Sequence, residues 1–212
     1  MDIVRLALAG VVSYLLGSIP TAFIFGRMKG LDIRQHGSGN VGATNAFRVL
    51  GKEIGIVVLL LDILKGALVP TLVAALFGIE NIISIVILCL IVVAGHNWTI
   101  FLQFKGGKGI ATSLGVLIGL TIKMASVRMA LFVTVSSWVI VFLTTGIVSL
   151  ASIFAAILLP ITMVFTHQPI EVVSLGIIFC LLVVFRHQPN IKRLFAGQEP
   201  KVTLPFHRKR YP

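Results

Sequence analysis

Apolar stretches long enough to cross a lipid bilayer recur from one end of this 212-residue chain to the other and leave no room for a separate soluble domain. A spanning helix needs roughly 17 to 25 mostly apolar residues, because hydrocarbon offers no partner to a backbone N–H or C=O. That constraint implies an all-α, polytopic membrane bundle, one integral domain over residues 1–212. Composition agrees: 57% of the residues are hydrophobic and 12% charged, where soluble globular domains carry about 25% charged residues.

The first apolar run covers residues 3–25 and is broken near Pro20. It reads as an uncleaved span rather than a signal peptide, since it is long and lacks a small-residue cleavage site. A hydrophilic loop follows at 26–52, then a run at 54–77 that contains Asp62 and Lys65 and ends at GIEN. A third run starts at 82 and fades into GHNWTIFLQFKGGKG. From 110 to 186 the chain is almost continuously apolar, with turns predicted at KMASVR (123–128), TTGIVS (144–149) and THQP (166–169). The pattern gives about seven crossings, or about five if the short span after KGGKG enters and returns. Cys89 and Cys180 each lie inside an apolar run and read as small buried hydrophobes, with no disulfide framework.

The basic residues orient the bundle. With the N-terminus outside and the C-terminus cytoplasmic, the inner segments 26–52, 102–109, 144–149 and the tail from 186 hold 14 of the 18 Lys and Arg, as the positive-inside rule requires. Asp32, Glu53 and Glu199 are the acidic residues there, so this face alone carries the whole chain's formal charge of +11. The terminal HRKRYP is either a consequence of topology or a patch lying against anionic headgroups.

Three inner segments have chemistry beyond topology. In HGSGNVGATNAFR, residues 36–48, closely spaced glycines (Gly39 and Gly42 among them) can turn several N–H groups into one anion-binding concavity. Ser38, Asn40, Thr44 and Asn45 add side-chain donors, and Arg48 can grip two oxygens with its planar fork. A plain Gly/Asn-rich turn is the alternative. In FKGGKGIATS, residues 104–113, Lys105 and Lys108 flank Gly106 and Gly107, with Gly109 next, just before a helix whose free N–H groups suit an anion. The P-loop spacing is absent, so no nucleotide is implied, and a glycine-rich basic flank is the plain alternative. In FRHQPNIKRLFAGQEPK, residues 185–201, His187 and Asn190 follow the last span where tails meet headgroups. A histidine there can accept a proton from an alcohol or donate to an anion, or can be a surface residue.

Within the membrane, Asp62 and Lys65 share one helical face three residues apart, where charges are costly and pair up. A structural ion pair is the preferred reading, and a phosphate contact by Lys65 the functional one. No metal-ligand spacing links the five histidines, and no G-x-S-x-G elbow suggests an acyl-enzyme. Together the loops offer about what two doubly charged phosphates at the inner leaflet would need.

SGNVGATNAFR, GHNWTIFLQFKGGKGIAT and RHQPNIKRLFAGQE together resemble the three signature motifs of the bacterial acyl-phosphate:glycerol-3-phosphate acyltransferases, the PlsY family, in order, spacing and membrane setting along essentially the whole chain. The resemblance implies a seven-span enzyme of the bacterial cytoplasmic membrane with its active site on the cytoplasmic face. It would move an acyl group from acyl phosphate, not from acyl-CoA or acyl carrier protein, to the 1-hydroxyl of sn-glycerol 3-phosphate. The product would be 1-acylglycerol 3-phosphate, the start of phospholipid synthesis.

By the same resemblance, Ser38 and Arg48 would be essential contacts to phosphate and glycerol. Lys105 and Lys108, with Gly106, Gly107 and Gly109, would hold the phosphates. His187 and Asn190 would position glycerol 3-phosphate, and Glu199 would be structural. DILKG, with Asp62 and Lys65, matches a family D-x-x-K-G element, and VSLAS around Ser149 resembles a further inner-face segment. One departure is Thr99, where the second motif commonly has proline. The expected partners are acyl phosphate, sn-glycerol 3-phosphate and membrane lipid, with no cofactor and no nucleic acid; a monomer is expected.

Acyl phosphate is a mixed anhydride with a good leaving group, so such an enzyme chiefly needs to juxtapose two anions and screen their repulsion. The hydroxyl proton could pass to His187 or to a substrate phosphate oxygen. Direct transfer is preferred over a Ser38 acyl-enzyme. A transporter for phosphorylated metabolites would spread its charges along a path through the bilayer. A lipid-binding scaffold has no use for glycine nests, and a lipid phosphatase would transfer to water.

Overall fold

The computed structural model describes residues 3–202, and the HRKRYP patch lies outside them. Among the described residues the regular structure is all helical: α1 (Ile3–Ser18), α2 (Thr21–Met28), α3 (Ala43–Val49), α4 (Lys52–Leu76, containing a π turn at Val69–Val73), α5 (Ile82–Asn97), α6 (Ile110–Lys123), α7 (Val127–Thr145), α8 (Val148–Phe165), α9 (Ile170–Arg186) and α10 (Gln188–Phe195).

Four helical segments (Lys52–Leu76, Ile82–Leu102, α7 and α8) are long and apolar enough to cross a membrane. The pairs α1–α2, bent by 42°, and α9–α10, bent by 62°, raise that to six if each is one span, and α6 is a shorter apolar helix. The helix ends fall at the predicted turns: α6 stops at Lys123, α7 at Thr145 and α8 at Phe165. The 26–52 stretch is less loop-like than its polarity suggests. α2 continues to Met28, and α3 forms because Val41, Ala46 and Leu50 bury one face while Arg48 stays on the other.

α1 packs along α5, α4 along α6, and α7, α8 and α9 follow in order, with α9 returning to α5. Lipid tails give apolar helices no reason to leave them, so close backbone contact holds such bundles together. α4 and α6 make this contact at Gly115, where a Cβ would lie 1.9 Å from the carbonyl oxygen of Ile63. Ala9, Val69, Leu88, Val92, Leu120, Met163, Leu175 and Phe179 fill the interior, while Leu60, Leu64, Ile140 and Leu181 stand exposed on the outside. This inside-out distribution is that of a lipid-facing surface. Cys89 and Cys180 are free thiols, the first buried and the second half-buried.

Candidate active site

Pro20 breaks the first span because it has no N–H to continue the ladder. The freed carbonyls of Ser18 and Ile19 are taken by other elements: Thr99 Oγ1 donates to Ser18 O at 2.5 Å and Lys65 Nζ to Ile19 O at 3.0 Å. Thr99 also accepts the Phe101 N–H at 3.3 Å, so the threonine in place of proline supplies a tether. Lys65 pairs with Asp62 Oδ1 at 2.9 Å, and the same oxygen accepts Thr21 Oγ1 at 2.9 Å, with His96 Nδ1 3.7 Å away. Both charged residues are buried. The ion-pair reading therefore holds. The Lys65 ammonium faces Asp62 and Ile19 and does not line the large cavity described below.

After α5 the chain folds back as a strap. The N–H groups of Gly106 and Gly107 donate to the carbonyls of Asn97 and His96 at 3.1 and 3.0 Å. Arg186, at the end of α9, donates in turn to the carbonyls of Gly106 and Gly107 at 2.8 to 3.0 Å. A Cβ on Gly107 would lie 2.1 Å from His96 Nε2. These two glycines let the strap lie flat on His96, and their N–H groups are spent within the protein rather than offered to a phosphate. Lys108 and Gly109, next along, do line the cavity at the start of α6. Lys105 is exposed and stands outside the lining.

The first loop is also knotted on itself. Asn45 is buried; its side-chain oxygen accepts the Ser38 N–H at 2.9 Å, and its amide donates to Ile33 O at 3.3 Å and His36 O at 3.0 Å. The Gly39 N–H goes to His36 O at 3.0 Å, and the Gly42 N–H to Asn40 Oδ1 at 2.9 Å. Asn45 is thus the staple of the loop. Gly39 is a turn former outside the lining, and the expected backbone nest is largely closed. At the loop's base Arg34 chelates Asp32, with its nearest contact at 2.6 Å, and holds that carboxyl well below the usual carboxylate range. The loop's side chains remain available. Ser38, Asn40, Gly42, Thr44, Asn45 and Arg48 line the cavity, and Arg48 has no carboxylate partner among the described residues.

The third segment closes the site. Lys108 donates to Asn190 Oδ1, and Asn190 Nδ2 donates to Glu199 Oε1 at 2.6 Å. Ser149 Oγ reaches the same oxygen at 2.8 Å, and Arg193 Nε donates to Glu199 Oε2 at 2.7 Å. Burial opposes the charge on Glu199, but the bonds from Asn190, Ser149 and Arg193 outweigh it and hold the carboxyl below its ordinary value. Burial lowers Lys108 to about 8; Glu199 opposes the shift, and the nearby Arg193, Arg48 and Arg186 add to it. His187 Nδ1 lies 2.8 Å from Val183 O. A carbonyl can only accept, so the proton sits on Nδ1 and the neutral ring keeps a lone pair on Nε2.

Ser38, Arg48, Lys108, Ser149, His187 and Asn190 all line one cavity of about 470 Å³. Its basic lining residues are Arg48, Lys108 and Arg193, and two carboxylates, Asp62 and the Glu199 that pairs with Arg193, line it as well. Phe47, Leu59, Ile110, Trp138, Phe142 and Val148 make the rest apolar. Sequence reasoning assigned no role to Arg186, Arg193, His96, Trp138 or Phe142. Arg186 and Arg193 stand inside the quoted third motif and His96 inside the second, so the signal was present there. Trp138 and Phe142 had none, being two aromatics in an apolar run.

The fold and the site define a helical integral-membrane bundle whose basic loops converge on one cavity lined by both charged and apolar side chains. The chain belongs to the glycerol-3-phosphate acyltransferase family, whose profile matches residues 7–197, and is an integral-membrane acyltransferase of that family. It is 45% identical to glycerol-3-phosphate acyltransferase 2 of Moorella thermoacetica over 92% of this chain and 96% of the relative. It is 42% identical to the glycerol-3-phosphate acyltransferase of Fusobacterium nucleatum over 90% and 95%. Among solved structures it resembles PlsY, an integral membrane glycerol 3-phosphate acyltransferase, in its glycerol 3-phosphate form, with a TM-score of 0.85 and 36% identity over 93% of this chain and 96% of that one. The lysophosphatidic acid form of PlsY gives a TM-score of 0.82 at 36% identity.

Proposed function

We propose that the protein transfers an acyl group from acyl phosphate to the 1-hydroxyl of sn-glycerol 3-phosphate and releases 1-acylglycerol 3-phosphate and inorganic phosphate. The observation that carries this reading is the cavity itself: Arg48, Lys108 and the Glu199-paired Arg193 share its lining with a set of small donors and an aromatic-aliphatic wall. A phosphorylated acyl donor has this polarity. The relatives' activity and the forms in which PlsY was solved, with glycerol 3-phosphate and with lysophosphatidic acid, support the acceptor and the product.

In the proposed reaction the glycerol hydroxyl oxygen attacks the acyl carbonyl carbon, the ester C–O bond forms, and the bond from carbon to the phosphate oxygen breaks. Arg48 and Lys108 screen the two phosphates and stabilise the charge that builds on the leaving one. The hydroxyl proton passes to the unprotonated Nε2 of His187 or to the departing phosphate. Transfer is direct: Ser38 hydrogen-bonds Asn45 through its backbone N–H, and no general base is bonded to its hydroxyl among the described residues. Seven crossings, with the N-terminus outside and this cavity at the cytoplasmic rim of the bacterial inner membrane, fit the distribution of basic residues. The protein acts as a monomer.

The test is an assay of the purified protein in lipid vesicles with glycerol 3-phosphate and either acyl phosphate or acyl-CoA. Lysophosphatidate from acyl phosphate alone is the expected result. Fatty acid without lysophosphatidate would identify a hydrolase, and product from acyl-CoA alone would overturn the donor.

A further inference from the structure

The apolar half of the cavity has a floor. On α7 its lining residues are Phe142 and Trp138, and no residue of α7 before Trp138 takes part. On α8 they are Val148, Ser149 and Ser152, and nothing beyond Ser152 takes part. Trp138 lies eight residues before the turn at Gly146, so about 12 Å along the helix from it. The last lining residues on these two helices are joined: the indole N–H of Trp138 donates to Ser152 Oγ at 3.1 Å. The Ser152 hydroxyl donates onward to Val148 O at 2.8 Å, which leaves its lone pairs to receive the indole. On its other side the Trp138 ring stacks on Phe142, 5.0 Å between centroids. A large aromatic is thus held in one orientation, bridging α7 to α8 across the end of the space.

We propose that the Trp138–Ser152 bridge is the chain-length stop for the acyl donor: the chain runs from the cationic end along Leu59, Ile110 and Phe142 and ends against the indole. This rests on the reading of the cavity as an acyl-donor site. An apolar wall discriminates by methylenes: one group too many or too few changes the rate by roughly 10- to 200-fold where the wall is rigid. The hydrogen bond to Ser152 supplies that rigidity, since a Trp with an unbonded N–H in an apolar environment would seek another partner.

The experiment is an internal competition. The purified protein in vesicles receives glycerol 3-phosphate and an equimolar mixture of dodecanoyl, tetradecanoyl, hexadecanoyl and octadecanoyl phosphates, and the lysophosphatidate species are read by mass spectrometry. Because all donors compete in one tube, the product ratio does not depend on how much of a variant is folded. Trp138→Ala should raise the octadecanoyl-to-dodecanoyl product ratio by at least about tenfold. Ser152→Ala, which keeps the ring but frees it, should move the ratio the same way by less. An unchanged ratio in both variants would overturn the proposal. Should Trp138→Ala yield no folded protein, an unchanged ratio in Ser152→Ala together with Trp138→Phe, which lacks the N–H, would overturn it equally. If the unaltered protein used only acyl-CoA, the donor assignment would fall, and the same mixture as thioesters would test the stop independently.

Discussion

The ammonium of Lys108 hydrogen-bonds the side-chain carbonyl of Asn190, 82 residues further along the chain. Asn190 passes the contact to Glu199 at 2.6 Å, and Glu199 gathers Ser149 and Arg193. The start of α6, the start of α8 and the segment after α9 are thereby fixed to one another at one rim of the bundle.

Lys108 sets a pH limit. Its ammonium is held at about 8, so it is charged below that pH and neutral above it. Phosphate binding needs the charge. kcat/KM for glycerol 3-phosphate, which reports the free enzyme, should therefore hold between about pH 7 and 8 and fall above it. Lys108→Arg, whose guanidinium stays charged at every accessible pH, should remove the alkaline fall, as initial rates across that range would show.

Arg48→Ala and His187→Ala should each lower turnover by at least about tenfold, the loss expected from roughly 1.4 kcal/mol of transition-state stabilisation. The two lysines of the glycine strap should separate. Lys108→Ala should cost at least about tenfold, whereas Lys105→Ala, outside the cavity lining, should cost clearly less. Steady-state kinetics on the four variants side by side gives the comparison.

Glu199 accepts from three side chains. Glu199→Ala strands their donors and should destabilise the fold by about 2 kcal/mol, the scale of lost bonds to a buried charged group. The readout is a lower melting temperature in detergent. Glu199→Gln, which keeps one acceptor oxygen, should fall between the two.

Lys65→Met leaves Asp62 buried and unpaired, and should cost about 3 kcal/mol or more. Adding Asp62→Asn should recover part of that loss. A double-mutant cycle by thermal unfolding measures the coupling; additive losses would mean that the pair is not the neutralising contact described here.

Much of this was legible in the sequence because the bilayer simplifies the reading. Long apolar runs have to be helices, and Pro20, Gly146 and Pro169 mark breaks that the structure places where expected. The positive-inside count brought the basic loops to one face, and Ser38, Lys108 and Asn190 do line one cavity. The use of each glycine was not legible. A glycine kept for backbone donors and one kept to lie flat on His96 have the same letter, and Gly107 is the second kind. Asn45 likewise reads as a ligand donor until its partners Ser38, Ile33 and His36 are known. Trp138 and Ser152 sit in different helices, with nothing local to join them, so the apolar floor emerges only from packing.

The central claim is that acyl phosphate gives its acyl group directly to glycerol 3-phosphate in this cavity, and rapid-quench measurement of inorganic phosphate tests it most directly. With acyl phosphate alone no burst should appear; with glycerol 3-phosphate added, phosphate and lysophosphatidate should rise together, one for one. A phosphate burst equal to the enzyme concentration in the absence of glycerol 3-phosphate would reveal an acyl-enzyme and contradict direct transfer, and lysophosphatidate without phosphate release would contradict the donor.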